Sequence, residues 1–127
     1  MNNSTTYFKQ PKLEQITSLN YKVLEPYTVQ TSLMAVTVPS GFVTDLASVP
    51  RALWSIFSPF GLYTGASVVH DYIYRTSTIE CTKNVADMIF KELMQQANVP
   101  NVTIESMFLA VQAFGRSSFK PRKWSHL

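Results

Sequence analysis

The chain is poor in cysteine, glycine and charge. Its one cysteine, Cys81, excludes an internal disulfide framework and a CxxC metal knuckle. The 127 residues contain four glycines and show no Walker loop, no GxGxxG, no HExxH and no EF-hand loop. Simple nucleotide and metal-protease readings therefore drop out. Charged residues make up 15%, below the roughly 25% usual for soluble domains. Solubility must lean on Ser, Thr, Asn and Gln. No apolar run approaches the roughly 20 residues that a membrane helix needs. MNNSTTYFKQ has no basic region followed by an apolar one, so no secretory signal is expected.

Hydrophobic residues make up 46%, enough for one core. A single domain over residues 1–127 is expected. The net charge of +3 is unevenly placed. Arg116, Lys120, Arg122 and Lys123 lie in RSSFKPRKWSHL, which has no acid. The other 115 residues hold the remaining 7 basic side chains against 8 acidic ones. This basic tail, residues 116–127 with Phe119 and Trp124 interleaved, is read as a segment that packs its aromatics on the body. Contact with a polyanion is the alternative.

The chain switches period near Asp45. Residues 1–6 are polar and expected to be loose, and residues 7–45 read as β. Lys22-Val23-Leu24 and Tyr27-Thr28-Val29 flank Pro26, and Leu33–Val38 is rich in strand formers before the Pro39-Ser40-Gly41 turn. Residues 48–115 read as helical. Ser48 and Pro50 open a short helix with Leu53, Trp54, Ile56 and Phe57 to bury. A second helix is predicted from about Leu62 to Arg75, a third from Thr82 to Ala97 and a fourth from Val102 to Phe114. In the third, Val85, Ala86, Ile89, Phe90, Leu93, Met94 and Ala97 form one stripe. The predicted class is α+β: a small N-terminal antiparallel β-sheet packed on three to four C-terminal α-helices, with Trp54 between the halves.

Few residues can carry chemistry. His126 is next to last. His70 sits mid-helix in VVHDYIY and shares a face with Tyr74. Adjacent helical residues point about 100° apart, so His70 and Asp71 line different walls. Asp87 borders the apolar stripe of the third helix and should seek a partner. A short connection makes the second and third helices antiparallel neighbours, which brings Asp87 within hydrogen-bond reach of His70. The other imidazole nitrogen would then face a cleft as a general base. Asp71 could bind a cation or position water, with Asp45 as a second ligand. The plain alternatives are a buried His–Asp pair that only knits two helices, and a capping role for Asp45. Ser48 lacks a GxSxG elbow, and Cys81 is read as inert.

VPSGFVTDLASVP at 38–50, Trp54, Gly61-Leu62-Tyr63, HDYIY at 70–74, and Ala86-Asp87 with Phe90 resemble a phage and prophage family of unknown function. Its pattern reads VPxGFxTDxASVP, a tryptophan, HDxxY and ADxxF, closing with an aromatic and a glycine as in Phe114-Gly115. The resemblance covers about residues 20–116. Lys83 stands where an arginine is common and Phe108 where a tyrosine is common, and neither is expected to touch the site. The resemblance implies a phage or prophage gene, often among virion or lysis genes.

His70, Asp71, Tyr74 and Asp87 are also similar to the HDxCY helix and facing aspartate of secreted phospholipase A2 enzymes. That similarity implies a His that activates water, a distal Asp that orients it, and an Asp that holds calcium. The cysteines and the glycine-rich calcium loop of that family are missing here. Three readings follow. One is an envelope-directed esterase or lipase-like hydrolase with His70, Asp87 and Tyr74 at its centre, a possible calcium at Asp71 and Asp45, and host envelope lipid as target. Another is a non-enzymatic virion component, such as a tail or neck protein, that binds other phage structural proteins. A small host-directed inhibitor that acts by binding is a third.

Overall fold

The computed structural model describes residues 8–46, 61–76, 79 and 81–114. The predicted short helix with Ser48 and Trp54, the N-terminal segment 1–6 and the basic tail 116–127 lie outside the described residues. Within them the order is β1 (Leu13–Gln15), β2 (Tyr21–Val23), β3 (Tyr27–Gln30), β4 (Ala35–Val38), β5 (Val43–Thr44), α1 (Thr64–Arg75), α2 (Lys83–Gln96) and α3 (Asn101–Phe114). Strands precede helices, which is the α+β class that the sequence predicts.

The β half is divided. Instead of one sheet there are two: an antiparallel sheet in the order β1-β2-β5 and an antiparallel hairpin of β3 and β4. Pro26 falls in the break between β2 and β3, where its missing N–H costs no ladder bond. In the hairpin the period of two is clean. Tyr27 pairs with Val38 and Val29 with Val36, and all four are buried. Thr28 and Thr37 pair on the outer face, hydroxyl to hydroxyl at 2.9 Å.

The expected strand over Leu33–Val38 begins only at Ala35. Leu33 and Met34 belong to the hairpin turn, because the Thr31 hydroxyl accepts from both of their backbone N–H groups and donates to Met34 O. Such local bonds compete with the ladder. Glu92 of α2 ties down the turn by accepting from Ser32 N and Oγ.

The helices follow their sequence signals closely. The Thr82 hydroxyl caps α2 by accepting from Val85 N. Asn98, with φ of 62°, ends it: Val99 N donates to Met94 O and Asn98 N to Gln95 O, the double bond of a Schellman ending. Ala86, Ile89, Phe90, Leu93 and Met94 are buried, as the apolar stripe requires. Helix α3 packs on α2 through Ile104, Met107 and Val111.

Helix α1 is the central element. It touches α2 on one side and β4 and β5 on another, and it is buried from Thr64 through Asp71 and again at Ile73 and Tyr74. Gly65 permits this. A Cβ there would run into the Tyr27 hydroxyl and lie 3.0 Å from Gln10 Oε1 and Phe8. Gln10 Oε1 instead accepts from Gly65 N at 2.7 Å.

Candidate functional site

Two adjacent residues of α1 look in different directions. His70 turns toward α2, and Asp71 toward the end of β5. The roughly 100° step between consecutive helical residues makes this split unavoidable.

On the α2 side, His70 Nε2 lies 2.7 Å from Asp87 Oδ1. Tyr74, one turn further along α1, donates its hydroxyl to the same oxygen at 2.5 Å. Lys83, one turn earlier on α2, holds Oδ2 at 2.7 Å. The imidazole packs between Tyr74, with centroids 4.1 Å apart, and Phe90, at 4.8 Å. Thus one carboxylate gathers a phenol, an imidazole and an ammonium. Burial opposes ionisation of Asp87, but the bonds from His70, Lys83 and Tyr74 outweigh it and hold the carboxyl below its ordinary value. Tyr74 is pushed upward by burial and by its bond to Asp87, so its phenol stays protonated and donates. With Asp87 ionised, His70 Nε2 carries the proton of the shared bond, which makes Nδ1 the basic nitrogen.

The expected close contact between His70 and Asp87 is therefore present. The expected cleft beside the second imidazole nitrogen is not: His70 is 1% exposed and Asp87 0%. The reason is the aromatic packing of Tyr74 and Phe90 around the ring. A described cavity of about 250 Å³ lies elsewhere, between the β3–β4 turn and α2, lined by Ser32, Leu33, Met88, Lys91, Glu92 and Gln95.

On the β side, Asp71 Oδ2 accepts from the Thr44 hydroxyl at 2.6 Å. Arg75 Nε lies 3.5 Å from Oδ1. Arg75 also donates from Nη2 to Val43 O, and its guanidinium covers the Phe42 ring at 5.1 Å. Burial raises the Asp71 carboxyl above its usual range. Thr44 and Arg75 pull it down, and the charge of the half-buried Asp45 pushes it up.

This arrangement fits calcium poorly. The cation reading needs several oxygen ligands. Asp71 meets a hydroxyl proton and a guanidinium where a metal would need its lone pairs. Among the described residues no group of three or more His, Cys, Asp or Glu side chains could hold an ion. Asp45 and Asp71 alone supply no metal set.

Two site residues escaped the sequence. Lys83, expected to stand clear of the site, holds Asp87 directly; its i,i+4 spacing was the available signal. Thr44 had no signal beyond its place in the TD dipeptide, because its partner lies 27 residues away.

The pattern over residues 21–111 matches the family described as "Protein of unknown function (DUF1353)". The chain belongs to this family. The matched region runs from β2 into α3 and includes Thr44, Asp45, His70, Asp71, Tyr74, Lys83 and Asp87. The "Uncharacterized protein y4jT" of Sinorhizobium fredii (strain NBRC 101917 / NGR234) is 38% identical over 80 residues, which is 61% of this chain and 23% of that protein. The chain thus spans about a quarter of that relative's length. No solved structure matches it. The expected membership of a family of unknown function is thus met, and the family description carries no activity.

Proposed function

We propose that the chain is a phage-encoded hydrolase of an envelope ester, a lipid ester foremost, with His70 as general base and Asp87 as the residue that orients it. The observation that carries this reading is the single Asp87 oxygen shared by His70 Nε2 at 2.7 Å and the Tyr74 hydroxyl at 2.5 Å. The shared bond fixes the tautomer and directs basicity to Nδ1. The packing that seals the ring must open to admit the ester, and a water proton then passes to Nδ1 while the water oxygen bonds to the acyl carbon. The resulting imidazolium is stabilised by the ionised Asp87 and then returns its proton to the alkoxide as the ester C–O bond breaks. Tyr74 and Lys83 hold Asp87 in place. No step uses a metal.

The ionisable make-up of this cluster also supports chemistry. Charged groups taken from water cost several kcal/mol each, and apolar residues of similar volume often serve packing as well or better. Buried titratable groups with displaced pKa values gather at functional sites. The phage assignment rests on the motif resemblance.

The test is fatty-acid release from phosphatidylglycerol and phosphatidylethanolamine vesicles by the wild-type chain and by His70→Asn, with melting followed in parallel. Release by the wild type, lost in the variant at an unchanged melting temperature, is the expected result. No release by the wild type from either vesicle, or equal release by both proteins, sinks the reading.

One observation favours a second reading, in which the chain is a tail or neck component and the network only joins α1 to α2. That observation is the 1% exposure of His70. The apolar outer face of α3, with Val102 76% and Leu109 63% exposed, is in keeping with assembly among phage structural proteins. Under this reading His70→Leu is tolerated, and the protein is found by immunoblot in purified particles.

A further inference from the structure

We infer that Asp71 is a positioning residue: through the Thr44 hydroxyl it holds Leu46 in a left-handed backbone conformation and so fixes how the chain leaves β5. This goes beyond the hydrolase reading and stands even if His70 does nothing but pack.

Leu46 has φ of 57°. A bulky residue rarely adopts that region, and the cost of order 1–3 kcal/mol is met only where the surroundings over-determine the conformation. Leu46 is also wholly buried, at 0% exposure, so its strain is not relieved at the surface.

Among the described residues, a hydrogen bond to its backbone holds it there. Leu46 N donates to Thr44 Oγ1 at 3.0 Å. That hydroxyl spends its own proton on Asp71 Oδ2 at 2.6 Å. The Thr44 oxygen is thus donor to one partner and acceptor from the other, and both directions are set. Asp71 cannot donate while ionised, so the hydroxyl must point its hydrogen at the carboxylate and its lone pairs at Leu46 N.

Arg75 completes the latch from the same helix. It approaches Asp71 Oδ1 and also donates to Val43 O, so α1 grips β5 at Val43 and at Thr44. The result is a chain of bonds from α1 to the strained turn, with Asp45 held between Thr44 and Leu46. It uses both Asp71 oxygens, and it does the ordering that a cation would otherwise supply.

The readout is amide exchange at Leu46, followed by NMR in the full chain, for wild type, Thr44→Ser, Thr44→Val and Asp71→Asn. Thr44→Val keeps the shape but removes the oxygen, and Leu46 exchange should rise about tenfold, as befits one lost hydrogen bond. Thr44→Ser should restore near-native exchange. Asp71→Asn keeps an acceptor and should fall between them. Calcium and chelator should leave Leu46 exchange and melting unchanged in the wild type.

Unchanged exchange in Thr44→Val overturns the proposal. So does calcium-dependent protection that Asp71→Asn abolishes, which would make Asp71 a metal ligand. If Thr44→Val fails to fold, Asp71→Asn still decides: Leu46 exchange in that variant should rise above wild type. Unchanged exchange there overturns the latch.

Discussion

His70 and Asp87 meet across the α1–α2 interface with 2.7 Å between Nε2 and Oδ1, and neither reaches solvent. Asp87 is the hub of that meeting, since Tyr74 and Lys83 end on it as well. Asp87→Ala takes the carboxylate away from the His70 ring, the Tyr74 hydroxyl and the mostly buried Lys83 ammonium at once. Removing one partner of a buried ionic cluster costs about 3–5 kcal/mol. Urea unfolding should show that loss. A loss below about 1 kcal/mol would place the pair in the weak, solvent-screened class.

Phe90 supports the same interface from below. It is fully buried and stacks 4.8 Å from the His70 ring. Phe90→Ala should cost about 3–5 kcal/mol, the range for a large aromatic removed from a core. The melting temperature should fall sharply, and a near-neutral shift would contradict the packing.

Parts of this arrangement were legible in the chain, and the reasons differ by residue. The α2 stripe through Phe90 follows from period alone. The His70–Asp87 contact follows from depth along two antiparallel neighbours joined by a short connection. Burial of His70 did not follow, because it depends on how Tyr74 and Phe90 close around the ring. Leu46 was illegible for another reason: nothing intrinsic to leucine favours a positive φ, and the Thr44 bond that enforces it depends on Asp71, 25 positions on. The split of the β half into two sheets was only hinted at by Pro26.

Asp71 and Asp87 should respond oppositely to acid. Asp71 has a native value above its unfolded one, so the native state holds the proton more tightly. Its ionisation is a penalty at neutral pH that disappears as pH falls through the native value. Asp71→Asn removes the ionisable group. The stability of the variant relative to wild type should therefore be most favourable at pH 7 and decline toward about pH 4, as wild type takes up its proton. A constant difference across that window, measured by urea unfolding, would show that Asp71 does not titrate differently in the two states.

Tyr74 offers the last and sharpest probe of the hub. Tyr74→Phe keeps the ring that packs 4.1 Å from His70 but removes the hydroxyl that Asp87 accepts. One hydrogen bond to a charged group is worth about 1.5–3 kcal/mol, and stability at pH 7 should fall by that amount. The acid limb should move too. Asp87 has a native value below its unfolded one, so its stabilisation is complete above the unfolded value and is lost as pH falls through the native one. Tyr74 is one of the three donors that lower it. Without that hydroxyl the native value rises, and acid unfolding should begin at a higher pH than in wild type. Lys83→Met should move the limb in the same direction. If Tyr74→Phe lowers stability equally at every pH, the phenol only packs, and the carboxylate is held by His70 and Lys83 alone.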